Sequence, residues 1–135
     1  LHPKNLVDYE NTNNYISRDD GGAFVCFDFK DKSVKLESYS IQSCNGDEGG
    51  THLKNWVIEV SEDGEHWSEV DRRENDSTLR GRNIKANFVL KNPKDAFTHR
   101  LRLRQTGNSW YYEFNHNYFG FCHIEFYGKL QEPSK

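Results

Sequence analysis

The sequence predicts an all-β fold, an antiparallel jelly-roll β-sandwich of about eight strands. Short apolar segments recur along the chain and are separated by clusters of Gly, Pro, Asn and Asp, which is typical of β-sandwiches. No segment shows sustained helical periodicity. The 135 residues include nine Phe, seven Tyr and three Trp, so a single domain can bury a core of large rings.

The most regular segment is a predicted hairpin, 55–70. Apolar residues alternate from Trp56 to Val60 at a period of two, which indicates a strand with one buried face. Asp63-Gly64 indicates a turn, because Gly accepts the positive φ that tight turns need. Trp67 and Val70 are an odd number of residues apart, so we expect a bulge or a wide turn after the hairpin. Both tryptophans of the hairpin are interpreted as core residues.

The remaining strands are assigned from the same alternation and its turn signals, and lie at 23–29, 34–44, 84–90, 98–105 and 119–127. The strand 34–44 is expected to bend, because its apolar residues change parity between Leu36 and Tyr39. Residues 1–22 are interpreted as a polar entry loop with at most a short strand. Gly128 is predicted to end the domain, 1–128, and residues 129–135 are predicted to form a linker or tail.

Successive antiparallel strands would place the connections alternately at the two ends of the sandwich. Short turns would share one end, at 30–32, 62–66 and 91–95. Long loops would share the other end, at 10–22, 45–54, 72–83 and 107–118. Long loops on a rigid scaffold commonly bind ligands. We therefore expect binding at this second end, which we call the loop end.

Candidate binding residues lie in these long loops. Trp110, Tyr111 and Tyr112 are consecutive rings on which a carbohydrate or a peptide could stack. Neighbouring side chains could supply hydrogen bonds and further contacts, namely Asn115, His116, Tyr118, His52 and Asn45. Two alternatives remain: one or two rings fold back against the core, and His52 is a structural hydrogen-bonding residue.

Basic residues in the third long loop add Arg72 and Arg80 to the candidates, because arginine pairs bidentately with carboxylates or phosphates. Glu74 and Asp76 lie among them, so a solvated and self-paired loop is the favoured interpretation.

A separate row, Arg100, Arg102 and Arg104, lies on one face of a predicted strand. It is expected either to meet an acidic partner or to pair across the sheet with an acidic residue such as Glu125.

No cofactor and no catalytic activity are predicted. Four acidic residues could supply oxygen ligands to calcium, but they lack the spacing of a known calcium loop: Asp19, Asp20, Asp47 and Glu48. The favoured interpretation is that they form turns. The sequence has no nucleophile elbow, no phosphate loop and no His/Cys cluster with metal-ligand spacing. Cys122 and His123 are adjacent on a strand and would point to opposite faces.

Charge and cysteine usage suggest the partners and the compartment. A net charge of −3 and the lack of a long apolar run argue against nucleic-acid and membrane partners. The three cysteines have no short spacing, so we expect buried free thiols in an intracellular, cytoplasmic protein. A Cys26–Cys122 bridge is the alternative if their strands pair. The sequence does not begin with Met, and we expect it to belong to a larger protein.

The segment from Trp56 to Trp67 resembles the discoidin domain family, which comprises the coagulation-factor 5/8 C-type domains. Three further segments resemble its strands in the same order: Phe27-Asp28-Phe29-Lys30, Arg100-Leu101-Arg102-Leu103 and Ile124-Glu125-Phe126-Tyr127-Gly128. The resemblance covers residues 14–128. It implies a galactose-binding-like jelly roll that binds its ligands at the loop end.

The sequence departs from the secreted members, which usually join their two ends by a disulfide, because no Cys lies near residues 8 or 129. Three segments resemble instead an intracellular branch found with BTB domains and ubiquitin-ligase subunits: Leu53-Lys54-Asn55-Trp56, Arg73-Glu74-Asn75-Asp76 and Arg104-Gln105-Thr106-Gly107. We therefore expect a binding module for a polypeptide partner, with a role in substrate or adaptor recognition. The alternative is a galactose-type carbohydrate-binding module that uses Trp110–Tyr112.

Overall fold

The computed structural model describes residues 4–16, 24–43, 52–110 and 120–133. Its regular elements are β-strands: β1 Lys4–Ile16, β2 Phe24–Asp28, β3 Ser33–Gln42, β4 Trp56–Ser61, β5 Ser68–Arg73, β6 Lys85–Val89, β7 Arg100–Gln105 and β8 Gly120–Gln131. These ranges contain no helix that is long and apolar enough to cross a membrane.

The strands form two four-stranded antiparallel sheets, which confirms the predicted sandwich. The first sheet has the order β1-β8-β3-β6 and the second has the order β2-β7-β4-β5. The apolar face of each sheet packs against the apolar face of the other sheet, because apolar and polar side chains alternate along the strands. Tyr39, Ile41 and Phe126 from the first sheet meet Trp56 and Leu101 from the second in a single buried cluster.

Strand β1 is much longer than expected, since residues 1–22 were interpreted as an entry loop with at most one short strand. It is an edge strand whose neighbour is β8, with Lys4 opposite Gly128 and Ile16 opposite Gly120. Two register shifts interrupt this pairing. Among its described side chains, Leu6 and Val7 pack against the core. The Tyr9 ring also contacts Phe27 and Phe121, with centroids 6.0 and 6.2 Å apart. The sequence lacks the sustained alternation that would have identified a strand of this length.

Strand β8 also differs from the prediction, because it continues through Gly128 to Gln131. The strands β3 and β8 approach each other very closely at this position. A Cβ atom on Gly128 would lie 2.1 Å from the backbone oxygen of Lys35. Gly128 therefore permits the close approach and does not end the strand. The register shift between Leu36 and Ser38 in the same pairing is the bend that the parity change predicted.

The hairpin contains both features that its odd spacing predicted. Residues 62–67 form a wide turn between β4 and β5, in which Gly64 has a φ of 82°. Asp63 Oδ1 accepts hydrogen bonds from the backbone N–H groups of Glu65 and His66, each at 2.8 Å, and so shapes the turn. A register shift follows, because Ile58 pairs with Asp71 whereas Glu59 pairs with Glu69.

The two tryptophans of the hairpin have different environments. Trp56 is buried in the core, as predicted. Trp67 is only half-buried, and the Arg102 guanidinium carbon lies 3.9 Å from the centroid of its ring. Because Arg102 is on the outward face of β7, Trp67 covers the outside of the second sheet. Its interpretation as a core residue was wrong, since the wide turn carries it to the other face.

A buried chain of hydrogen bonds joins the two sheets. Trp56 Nε1 donates to the Tyr39 hydroxyl at 2.9 Å, and this hydroxyl donates to the Asp71 carboxylate. Arg73 Nε donates to the same carboxylate at 3.0 Å. Burial and the hydrogen bond to Asp71 raise the pKa of Tyr39, which keeps the hydroxyl protonated as a donor. The core is thus cross-linked by polar groups that satisfy one another.

The arginine row pairs within its own sheet. Arg102 Nε and Arg104 Nε donate to Glu59 Oε1 at 2.8 and 2.9 Å. Arg100 Nε lies 3.4 Å from an oxygen of Asp28. The expected pairing with Glu125 was wrong, because Glu125 is on β8 in the other sheet.

The described cysteines are free, although their environment differs from the prediction. Cys26 lies on β2 in the second sheet, and Cys122 lies on β8 in the first sheet. Their strands do not pair, so the alternative bridge has no structural basis. Cys26 is exposed, because it is on the outward face of β2 opposite Arg102, and its interpretation as a buried thiol was wrong. Cys44 lies outside the described residues.

Candidate functional site

The strand pairing brings the long connections to one end of the sandwich. Gln42 lies opposite both Lys85 and His123, so the segments that follow β3 and precede β6 and β8 leave from the same end. Trp56 lies opposite both Arg73 and Gln105, which places the start of β4 and the ends of β5 and β7 together. The alternation predicted from antiparallel strands is therefore present, with one change: residues 10–16 belong to β1.

His52 is buried beneath the loop end, with 1% of its surface exposed. Its backbone oxygen accepts a hydrogen bond from the Trp110 N–H at 3.0 Å. Its Nδ1 accepts a hydrogen bond from the Gly81 N–H at 3.1 Å, so the neutral ring carries its proton on Nε2. A backbone bridge also joins His52 to Gly120. The residue thus holds three segments together, which is the structural alternative considered for it.

Asn55 is a second connecting residue, and the sequence patterns did not identify it. Its Oδ1 accepts a hydrogen bond from the Asn75 N–H at 2.8 Å, and its Nδ2 donates to the Asn108 oxygen at 2.9 Å. Its backbone oxygen accepts from the Thr106 N–H at 3.1 Å. One amide side chain therefore fixes two loops against the start of β4.

Trp110 is bonded to this framework through its backbone N–H and is half-buried. Its Nε1 donates to the Asp76 oxygen at 2.9 Å. Two cations contact its ring: Lys54 Nζ is 4.6 Å and the Arg80 guanidinium carbon is 4.5 Å from the ring centroid. These are cation–π distances, so the indole is both anchored at its edge and covered by positive charge. Lys54 was missed in the sequence, because its role depends on a contact between two separate loops.

The structure brings together three of the predicted site residues: Trp110, Arg80 and His52. Arg72 is placed elsewhere, on β5, where its Nε and Nη2 donate to Glu69 Oε1 at 2.9 and 2.7 Å. This pairing is the self-paired arrangement considered for the basic loop, and the hydrogen bond to Glu69 raises the pKa of Arg72. The other predicted residues lie outside the described residues: Tyr111, Tyr112, Asn115, His116, Tyr118 and Asn45. The same applies to the calcium candidates Asp19, Asp20, Asp47 and Glu48.

Two groups of described residues have side chains of the metal-ligating type: Asp8 with His123 and Glu125, and Asp63 with Glu65 and His66. In the first group, Lys85 Nζ already lies 3.0 Å from Glu125 Oε1 and competes with any cation. In the second group, Asp63 binds the backbone of its own turn, at the end opposite to the loop end. Neither group indicates a cofactor.

A scan against protein-family models and a search of the curated proteins give no match. Solved structures, by contrast, share the architecture. A family 32 carbohydrate-binding module from a family 31 glycoside hydrolase of Clostridium perfringens is 18% identical, with a TM-score of 0.61 over 94% of this chain and 91% of that chain.

Two further structures agree with it. An F5/8 type C domain of a Bacteroides fragilis protein is 18% identical, with a TM-score of 0.61 over 86% of this chain and 73% of that chain. The family 32 carbohydrate-binding module of EndoD from Streptococcus pneumoniae is 10% identical, with a TM-score of 0.61 over 89% of this chain and 78% of that chain. At these identities the likeness establishes the fold. The discoidin-like, galactose-binding-like fold that the hairpin predicted is thereby confirmed.

Proposed function

We propose that this chain is a non-catalytic carbohydrate-binding module that holds its ligand at the loop end. The observation that carries the proposal is the fold shared with carbohydrate-binding modules from Clostridium perfringens and Streptococcus pneumoniae. The proposal reverses the order of the two sequence-based hypotheses, in which a polypeptide partner came first and a glycan was the alternative.

The described segments of the loop end are joined to one another by hydrogen bonds. His52 and Asn55 bind the backbones of Gly81, Asn75 and Asn108, which lowers the chain entropy that these segments would lose when a ligand binds. Trp110 supplies an aromatic surface, and Lys54 and Arg80 supply hydrogen-bond donors beside it. An apolar ring with a few convergent polar groups is the usual composition of a sugar site.

The polypeptide hypothesis depended on three short segments that resemble an intracellular branch. The same segments are bonded to one another at the loop end. Asn55 binds the backbones of Asn75 and Thr106, and the Asp76 N–H donates to the Lys54 oxygen at 2.9 Å. Their residue pattern is therefore accounted for by the folding of the loops, without any peptide partner.

The proposal is tested on a glycan array with the purified chain and its Trp110→Ala variant. We expect the wild type to bind a defined subset of glycans. The variant should bind them about tenfold or more weakly, because it lacks both the aromatic surface and the ring that Lys54 and Arg80 contact. Absence of binding to any glycan on the array would refute the proposal.

Trp67→Ala is the matched control. Trp67 also donates its indole N–H to a backbone oxygen, that of Gly64, at 3.2 Å. It also lies under an arginine, Arg102, but on the outer face of the sheet. The substitution should cost a similar amount of stability and leave glycan binding intact. Equal losses of binding in both variants would show that the effect of Trp110→Ala is only structural.

A further inference from the structure

The second sheet has an open edge at β2, which pairs with β7 alone among the described strands. We infer that β2 is a self-association surface, to which β2 of a second copy of this chain adds as an antiparallel strand. The two four-stranded sheets then form one continuous sheet. This association goes beyond the proposed carbohydrate-binding function and does not depend on it.

The backbone of β2 presents hydrogen-bonding groups to this open edge. The Phe29 N–H donates to the His99 oxygen at 2.9 Å, and the pairing of β2 with β7 continues from there without a register shift. In an antiparallel pair, residues that bond to the neighbouring strand alternate with residues that do not. The peptide groups of Phe24, Cys26 and Asp28 therefore point away from β7, and all three residues are exposed.

The sequence of β2 does not protect this edge. Natural sheets commonly protect their edges with lysine, proline, bulges or covering segments. β2 contains neither lysine nor proline, its pairing has no register shift, and its one charged residue, Asp28, is at its end. Phe24 has half of its surface exposed although its side chain is large and apolar. An added strand would cover this apolar edge and satisfy its backbone groups.

The other three edge strands are protected in the described structure. The pairing of β1 with β8 has two register shifts. On β5, the Val70 oxygen accepts a hydrogen bond from the Asn92 N–H at 3.0 Å, so the chain that follows β6 covers this edge. On β6, Arg73 Nη2 donates to the Val89 oxygen at 2.9 Å. A new strand therefore finds unbonded backbone groups in regular register at β2, whereas the other edges are distorted or already bonded.

The sequence of β2 is suited to pairing with itself. An antiparallel pair of identical strands has a two-fold axis, which here passes through Cys26, the middle residue of β2. This axis places the two Cys26 residues opposite each other. It also places Asp28 of each copy opposite Phe24 of the other copy. Like charges therefore do not face each other across the new pairing.

The outer face beside β2 has an excess of positive charge. Arg102 and Arg104 share a single carboxylate, that of Glu59. The next carboxylate on this face, that of Glu69, accepts a hydrogen bond from Arg72 Nη2 at 2.7 Å. Three arginines thus share two carboxylates, and an acidic residue from a second copy would balance the third.

Asp28 of the second copy is placed to supply this charge. The Arg102 guanidinium carbon lies 5.4 Å from the centroid of the Phe24 ring, so the positive charge extends toward the open edge. Because Asp28 of the second copy lies opposite Phe24, its carboxylate meets this guanidinium and accepts a charge-assisted hydrogen bond. The two-fold axis repeats the contact, so each copy donates one carboxylate and receives one.

The dimer would direct its two loop ends in opposite directions. Phe24 lies opposite Arg104, near the loop end of β7, and Asp28 lies at the end with the short turns. Antiparallel addition therefore sets the loop end of one copy beside the short turns of the other. A dimer of this form bridges two facing surfaces, and its two loop ends cannot both bind to one flat surface.

Sedimentation velocity of the purified chain, from micromolar to near-millimolar concentration, is the first test. We expect a reversible monomer–dimer equilibrium. Cys26→Lys should weaken the dimer by about tenfold or more, because the axis would bring two ammonium groups together. Asn87→Lys is the matched control, since Asn87 is the exposed middle residue of β6, another five-residue edge strand, and should leave the dimer intact. Thermal unfolding checks that both variants are folded.

Oxidation with diamide is the second test. Opposite residues of a hydrogen-bonded antiparallel pair have Cα atoms about 5.5 Å apart, which suits a disulfide. The two Cys26 thiols of a dimer should therefore form a disulfide, with two electrons and two protons passing to diamide. We expect a covalent dimer on a non-reducing gel. Cys26→Ser should abolish this covalent dimer and leave the reversible dimer intact.

The outcomes are independent of the glycan array. A chain that stays monomeric at all concentrations would refute the self-association. A dimer that Cys26→Lys does not weaken, or that Asn87→Lys weakens equally, would show that β2 is not the contact. A dimer that is sensitive to Cys26→Lys but gives no Cys26 disulfide would show that the two-fold axis through Cys26 is wrong.

Discussion

Glu59 holds an arginine pair on the outer face of the second sheet. Its carboxylate accepts hydrogen bonds from Arg102 and Arg104 and is itself nearly buried beneath them. Burial alone would raise the pKa of Glu59, but the hydrogen bonds and the charges of the two arginines outweigh it and hold the pKa below its usual value. A single carboxylate on β4 therefore holds two arginines of the neighbouring strand β7.

A Glu59→Gln substitution should lower the free energy of unfolding by about 1–3 kcal/mol at neutral pH, because the three charge-assisted hydrogen bonds from Arg102 and Arg104 become weaker. The pKa of Glu59 is depressed in the folded state, so its contribution is fully present above the ordinary value of 4.5 and is lost as the pH falls through the folded-state pKa. The difference in stability between wild type and variant should therefore shrink at acid pH. Urea denaturation across the pH range measures it.

Glu65→Gln is the control for this experiment. Glu65 is an exposed carboxylate in the turn of the same hairpin, so its replacement should change stability little at any pH. A stability difference for Glu59→Gln that stays constant from neutral to acid pH would contradict the assignment of the effect to the ionised carboxylate.

Among the secondary-structure elements, the packing of β3 against β8 is best tested at Gly128, where the two strands approach each other. A Cβ atom on Gly128 would meet the backbone of Lys35, which cannot rotate away as a side chain can. Gly128→Ala should therefore lower the free energy of unfolding by about 2 kcal/mol or more, the usual cost of overpacking. Chemical denaturation provides the measurement.

Gly107→Ala is the comparison. The added Cβ would lie 3.3 Å from the side chain of Asn55, a much milder overlap than the 2.1 Å at Gly128. We expect a smaller loss of stability than for Gly128→Ala. The reverse order would mean that the β3–β8 contact is more adaptable than its geometry suggests.

Elements with a strong pattern could be predicted from the sequence. The alternation from Trp56 to Val60 predicted β4, and the change of parity of the apolar residues between Leu36 and Tyr39 predicted the bend in β3. The length of β1 was underestimated, because an edge strand that pairs on one side needs few apolar residues. The end of β8 was placed too early, since a glycine that permits close packing looks like a glycine that ends a strand.

The candidate site was predictable only in part, because some of its residues belong to no local sequence pattern. Trp110 stands out as an aromatic residue in a polar loop. Lys54 and Asn55 do not stand out, because their roles arise from contacts with residues at least twenty positions away along the chain. Arg72 was assigned to a loop, whereas the bulge of the hairpin places it on the outer face of β5 beside Glu69.

For the molecule as a whole, the expected intracellular location implies three free thiols. Mass spectrometry after alkylation under denaturing, non-reducing conditions should therefore detect three modified cysteines. In the folded protein Cys26 should react before Cys122, because it is the more exposed of the two. Partial desolvation of its sulfur raises the pKa of the Cys26 thiol, so its reaction should still be slower than that of a free cysteine. A native disulfide would contradict the expected compartment.

The pairing of β1 with β8 also determines how this module can be attached. Lys4 lies opposite Gly128, and Lys32 Nζ is 3.7 Å from Glu132, so the outer ends of the first and last strands meet beside the short turns. Backbone hydrogen bonds thus perform the task that a disulfide performs in the secreted domains that the sequence resembles. A tether at either terminus, or insertion of the whole domain into a host loop, would leave the loop end on the far side of the sandwich. Immobilisation through a terminal tag should accordingly leave the loop end open.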